Sequence, residues 1–257
     1  MNVVYVCDGS FEGLLSAVYD SWYNRADQAF NILPGLPSQM DFMITYKHIP
    51  TDEIKAAKVY AAINGKISPQ AVSSVMMCWF SGRRDAGRNI LHYLRLGFSV
   101  GAVVDQMVTH PAVQPLHEAA ARVGREAHKL TGLVRFYRTK EDWYCSIIEP
   151  ETFVLPILGD HFSQRMADSR FMIYDKGREV SVAFDGGKLA LVPGRLVEAA
   201  EVCTEEALYQ QMWKRYFDTL AIEGRLNPKL QRHNMPVRYW SHLVENPYGA
   251  MANHLAK

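Results

Sequence analysis

The chain is poor in cysteine, in net charge and in long apolar runs. Its four cysteines, Cys7, Cys78, Cys145 and Cys203, stand far apart, and no CxxC pair occurs. That spacing argues against an iron–sulfur or zinc site built on a local cysteine motif. It points instead to reduced, mostly buried thiols. Charge of one sign is lacking too: 28 Lys+Arg face 27 Asp+Glu in 257 residues. Such a balance excludes a wholly basic, histone-like protein, although an average can hide a local patch. No run approaches the roughly 18–20 apolar residues of a membrane span, and the longest candidate, 98–108, is broken by Asp105. The N-terminal apolar run meets Asp8 at once and has no positive flank before it, unlike a signal peptide. The expectation is a soluble cytoplasmic protein with no membrane partner.

Catalytic signatures are equally scarce. There is no GxxxxGK[ST] phosphate loop, GxGxxG turn, GxSxG elbow or HExxH helix. The HxE…PCxxC pattern of zinc deaminases is missing. Nine histidines are scattered without ligand spacing. No metal and no cofactor are expected on these grounds.

What is present reads as α+β. Residues 3–6 form a short apolar run that predicts a strand. The turn Asp8-Gly9-Ser10 follows, and Ser10 can cap a helix over 11–24 in which Phe11, Leu14, Leu15, Val18 and Trp22 recur at helical spacing. The Pro/Gly-rich stretch 31–41 reads as a loop. A helical period runs from about 52 to 130, with Thr51 or Asp52 as a cap and Pro69 at a first turn. At Thr131-Gly132 the period drops to two. Strands over 133–138 and 143–148 form a hairpin, helix 154–167 follows, then strands over 171–174, 179–184 and 188–192, and a helix over 205–222. This pattern predicts an antiparallel sheet packed against helices, with a largely helical first half. A single domain is expected, with a helical lobe over 52–130 and a sheet-bearing lobe over 131–257 that strand 3–6 joins.

Two acidic places are candidate sites. Asp8 and Glu12 flank a glycine-bearing strand-to-helix turn, where free backbone N–H groups can serve a ligand or where Asp8 and Ser10 simply cap the helix. Asp142, Glu149 and Glu151 surround a strand, and no lysine or arginine falls between Glu141 and Asp160. Carboxylates there can act as acid and base or sit as solvated strand ends. Asp8, Glu12 and Glu149 are the catalytic candidates.

Basic segments carry more information. Residues 122–140 hold six Lys/Arg against Glu126 alone; 212–240 hold six against Asp218 and Glu223; 83–95 add four arginines against Asp85. Aromatics interleave, among them Phe136, Trp213, Tyr216, Tyr239 and Trp240. Lysine and arginine neutralise phosphates, and exposed aromatics stack on unpaired bases. The nucleic-acid-binding candidates are Lys129, Arg135, Lys214, Arg215, Lys229, Arg232 and Arg238, with Tyr239 and Trp240 as stacking residues. The competing arrangement has the aromatics in the core and the charges as a solvated skin.

The segments VVYVCDGSFEGLLSAVYDSW, EAHKLTGLVRFYR, WYCSIIEPETFVLPILGDHFSQRM, RFMIYDKGREVSVAFDG and MWKRYFDTLAIEGRLNPKLQRHNMPVRYW resemble, in order and over nearly the whole chain, the radical-SAM-linked family of probable DNA metabolism proteins that carries domain of unknown function 4130. The resemblance implies an association with DNA modification or repair. It implies a radical SAM protein encoded nearby as partner, and it extends to uracil-DNA glycosylases, to which related domains are fused. No catalytic residue set comes with it. The expected function is thus a DNA-binding accessory protein of DNA metabolism. A nucleic-acid-modifying enzyme built on Asp8, Glu12 and Glu149, and a protein-interaction scaffold that binds no DNA, are the alternatives.

Overall fold

Local capping residues start three helices in the first half of the chain. The computed structural model describes residues 2–24, 29–194, 203–220 and 227–245. The chain divides into two compact units, 1–124 and 125–257.

Strand β1 (Asn2–Cys7) leads through the Gly9 turn into helix α1 (Phe11–Tyr23), whose N-terminus Ser10 caps by accepting from the Gly13 N–H at 2.9 Å. Strands β2 (Ala29–Pro34) and β3 (Ile44–His48) flank β1, both parallel to it, in the order β2-β1-β3. The central strand is buried on both faces from Val3 to Cys7, as a parallel strand covered on either side must be. Helix α2 (Glu53–Lys66) is capped by Asp52, which accepts from the Lys55 N–H, and α3 (Pro69–Phe80) by Ser68, with Pro69 at its first position. Helix α4 (Ala86–Val100) lies against β2: Asn31 accepts from the Arg88 N–H and donates to the Arg84 carbonyl. The contact is so close that a Cβ on Gly87 would stand 2.2 Å from the Ile32 carbonyl oxygen.

Helix α5 (Gln114–Leu133) runs through the division at Gly124. Beyond it, β4 (Tyr137–Arg138) and β5 (Trp143–Ile148) form a hairpin where one was expected, but its first strand is two residues rather than 133–138, because α5 keeps its helical turns through Leu133. Helix α6 (Leu155–Arg165) crosses over to β6 (Arg170–Asp175), which pairs parallel to β5; β7 (Val180–Phe184) and β8 (Leu189–Pro193) then add antiparallel, giving the order β4-β5-β6-β7-β8. Phe162 of α6 meets Phe136 and Phe171 edge-on at 5.0 and 6.3 Å, and Phe171 meets Phe184 at 5.4 Å. Helices α7 (Glu206–Leu220) and α8 (Pro228–Asn234) and a 3-10 turn over Val237–His242 complete the unit.

The fold class is α+β, with three corrections. The later sheet is mixed rather than antiparallel, because a crossover helix between β5 and β6 imposes parallel pairing. The first strand does not join it; β1 pairs with β2 and β3 in a separate sheet. Residues 31–34, expected as loop, are the last four residues of β2, with Pro34 at its end. Of the basic stretch 212–240, Glu223 and Arg225 lie outside the described residues, as do the last two positions of helix 205–222. No helix among the described residues is long and apolar enough to cross a membrane.

Gly87→Ala is expected to destabilise the first unit by about 1–3 kcal/mol, the usual cost of overpacking, because backbone rather than a flexible side chain meets the new methyl. Urea unfolding of the two proteins measures it.

Candidate functional site

The acidic candidates have local partners. Asp8 accepts from the Ser10 N–H (3.0 Å), the Ser10 hydroxyl (2.6 Å) and the Thr51 hydroxyl (2.7 Å). Partial burial pushes its carboxyl up, and the Ser10 and Thr51 bonds outweigh this and hold it below its ordinary value. The turn packs so tightly that a Cβ on Gly13 would fall 2.1 Å from the Asp8 carboxylate. Asp8 therefore ties the end of β1 to the start of α1. Glu12 is exposed in the first turn of α1. Glu149 belongs to the second unit, where Lys176 Nζ and His242 Nε2 each approach it at 3.0 Å and lower its pKa. Asp8 and Glu149 are thus engaged in separate local arrangements, one in each unit, and Glu12 stands exposed.

The acid-only segment around Glu149 meets its bases in space. Arg178 donates to the carbonyls of Pro150 and Glu151 and pairs at 2.9 Å with Asp175, which is wholly buried. Arg238 donates to Glu151 and, at 3.3 Å, to Glu126. Glu126 is the centre of this network. It is 6% exposed. It accepts from the backbone N–H groups of Glu151 (2.9 Å) and Thr152 (2.8 Å), the Thr152 hydroxyl (2.6 Å) and the Tyr239 hydroxyl. Burial pushes the Glu126 carboxyl up, but the bonds from Thr152, Tyr239 and the two backbone groups more than compensate and hold it below the usual carboxylate range.

The basic candidates accordingly divide. Tyr239 and Trp240 are 3% and 1% exposed, so neither presents a ring face to a base; the reading of them as stacking residues is corrected by their burial. Trp240 donates to the Met235 carbonyl at 2.8 Å. Arg238 is committed to the Glu126 network. Lys129 donates to the His233 carbonyl at the end of α8. Arg135 grips Glu245 through two nitrogens at 2.6 and 3.1 Å. Lys214 and Arg215 on α7, and Lys229 and Arg232 on α8, are exposed.

A cleft of about 510 Å³ opens in the second unit beside Arg135. Phe136 and Tyr144 come from the hairpin region, Tyr209, Gln210 and Trp213 from α7, and Arg138 from β4. The first turn of α7 is pinned to β4: the Cys203 N–H donates to the Arg138 carbonyl (2.9 Å), and the buried Glu206 accepts from the Arg138 N–H (3.0 Å). Glu206 also accepts from the Gln210 amide at 3.0 Å, which orients that side chain. One wall is fixed by Glu245, which accepts from Trp213 Nε1 at 2.9 Å while the Arg135 guanidinium lies 5.2 Å from the Trp213 ring. Burial pushes the Glu245 carboxyl up, and Arg135, the Glu245 backbone N–H and Trp213 together more than offset it, for a net lowering. Arg138 ends at the surface, paired at 2.7 Å with Asp142, both side chains exposed; solvent screening makes such a pair weak. Aromatic walls with guanidinium groups suit a planar, anionic ligand. Sequence reasoning named Arg135 but missed Tyr144, Tyr209 and Gln210. The i, i+4 spacing of Tyr209 and Trp213, which puts both on one helical face, was the available signal. Among the described residues no group of three or more His, Cys, Asp or Glu could hold a metal ion.

Because Glu126 is held below its unfolded pKa of about 4.3, its contribution is present at neutral pH and is lost as pH falls through the lowered folded value. Glu126→Gln is expected to cost about 3 kcal/mol or more at pH 7, as breaking a buried charge network does, and to flatten the loss of stability between about pH 5 and 3. Urea unfolding across that range checks both.

No curated protein and no solved structure matches the chain. A family model, DUF4130, a domain of unknown function, matches residues 84–245. That span takes in the whole cleft, Glu126 and every basic candidate, while leaving Asp8 and Glu12 outside. Covering well over half of the sequence, the match shows that the chain belongs to the DUF4130 family.

Proposed function

We propose that the protein is a nucleic-acid-binding accessory protein of DNA metabolism, and that the cleft beside α7 receives an unpaired nucleotide. One observation carries the reading: aromatic side chains and the exposed arginine Arg138 line a single cleft, and the helix that supplies Tyr209 and Trp213 also bears exposed Lys214 and Arg215. In this arrangement Tyr209 and Tyr144 stack on the base, Arg138 displaces Asp142 to take a phosphate, and Lys214 and Arg215 neutralise neighbouring phosphates. Lys229 and Arg232 extend the basic surface on α8. Arg135, Lys129 and Arg238 act indirectly, by fixing the cleft wall and the tail. Stacking with few base-edge contacts makes the binding tolerant of sequence and selective for single strands.

The resemblance to radical-SAM-linked proteins supplies the remainder of the proposal. The chain works in the cytoplasm and presents a strand to a radical SAM protein, or to a uracil-DNA glycosylase-type domain, which performs the chemistry. The reading as a nucleobase-modifying enzyme has less to support it, since Asp8 and Glu149 are engaged by Ser10 and Thr51 and by Lys176 and His242 respectively.

Fluorescence anisotropy of a labelled single-stranded DNA oligonucleotide, titrated from about 50 to 200 mM salt, tests the proposal. Binding should weaken with a log–log slope of about −0.7 per neutralised phosphate. Removing Lys214 and Arg215 should reduce that slope in magnitude by about 0.7 each, and Tyr209→Ala should cost about 1–3 kcal/mol. Absence of binding at the lowest salt, or binding indifferent to all three changes, overturns it.

A further inference from the structure

A second groove, of about 460 Å³, lies wholly within the first unit. Tyr19, Trp22 and Tyr23 enter it from α1, at the i, i+3, i+4 spacing that puts side chains on one helical face. Lys58 and Lys66 enter from α2 and Phe98 from α4. Trp22 and Tyr23 are 39% and 72% exposed, although both are large aromatics. Their neighbours hold them in place: Phe98 meets the Trp22 ring edge-on at 5.1 Å, and Tyr19 lies 4.5 Å from Tyr23. Val18, Val59 and Ala62 complete the lining.

Positive charge gathers on one side. Lys55 and Lys58 place their ammonium groups 5.7 and 5.9 Å from the centre of the Tyr19 ring. Lys55 is neutralised by Asp20 at 2.7 Å, but Lys58 and Lys66 make no ion pair to another described residue. They stand two turns apart on α2 with Ala62 midway, about 12 Å along the helix axis. An apolar, aromatic surface between two ammonium groups is complementary to a flat ring system that carries a phosphate.

We infer that this groove is a nucleotide site separate from the cleft of the second unit, with the base against Trp22 and Tyr23 and the phosphate held by Lys58 and Lys66. The same chemistry is offered by a free nucleotide and by one nucleotide of a strand. Most of its lining, residues 18–66, precedes the segment that the family model matches, and only Phe98 falls inside it.

The test uses the full chain with its five tryptophans fluorine-labelled, each resonance assigned by a single Trp→Phe variant. Adenosine monophosphate and a short single-stranded DNA oligonucleotide are titrated separately. Saturable movement of the Trp22 resonance by the mononucleotide identifies a free-nucleotide site; movement by the oligonucleotide alone identifies a strand site. In either case the double variant Lys58→Glu, Lys66→Glu should raise the half-saturating concentration at least tenfold, with its circular dichroism unchanged because both positions are exposed. A Trp22 resonance that neither probe moves, or that moves equally in the double variant, overturns the inference. The Trp213 resonance reports the other cleft in the same spectra, so the two proposals fail separately.

Discussion

One buried carboxylate organises the second unit. Glu126 sits on the inner face of α5 and collects hydrogen bonds from the 151–152 backbone, the Thr152 and Tyr239 hydroxyls and Arg238. A charge in that position is costly unless every lone pair is used, so the two segments that satisfy it, 151–152 and 238–239, must arrive together. The loop after β5 is fixed on one side by Glu126 and on the other by Arg178, which takes the carbonyls of Pro150 and Glu151. The tail is fixed because Arg238 and Tyr239 cannot leave without stranding Glu126. The orientation of α5, the entry into α6 and the path of the last described turn are thus parts of one constraint.

The same constraint explains how a nearly neutral chain with strongly segregated charge is assembled. Residues 141–160 carry acids without a single internal base, and the tail carries bases in excess. In the folded protein Arg238 from the tail pairs with Glu151, Lys176 from the β6–β7 turn with Glu149 and Arg138 from β4 with Asp142, while Arg178 donates to the carbonyls of Pro150 and Glu151. Much of the apparent basic surface is therefore consumed inside the molecule. What remains on α7 and α8 is narrower, and only its α7 part, Lys214 and Arg215, shares a helix with the cleft residues Tyr209 and Trp213.

Helices with clean apolar spacing and good start signals were legible: Ser10, Asp52 and Pro69 each announce a helix that forms. Strands β2 and β3 were not, because Pro34 and Gly35 dominate the local signal of the first and the half-exposed residues of the second lack a period of two. The partner of β1 could not be read either, since pairing is a long-range choice and 3–6 is equally apolar toward any sheet. Tyr239 and Trp240 lie between basic residues and just after Pro236, which reads as an exposed irregular tail; only packing reveals that both are core. Glu126 was legible in principle. It is three residues after Val123 and four before Leu130, both buried, so the helical period places it on the inner face, and a lone acid there requires partners. The cleft combines residues from the hairpin, α7 and the tail, and no local pattern announces that convergence.

The cysteines give the protein a practical asymmetry. Cys7, Cys78 and Cys145 are buried, and burial pushes the Cys78 thiol up to about 12, far from the thiolate form that reacts. Cys203 alone is partly open to solvent, and its backbone is hydrogen-bonded to Arg138 on the cleft wall. The chain therefore carries one partly accessible thiol whose backbone is tied to the cleft wall, and a thiol-directed dye attached there would sit beside the cleft without any engineered residue.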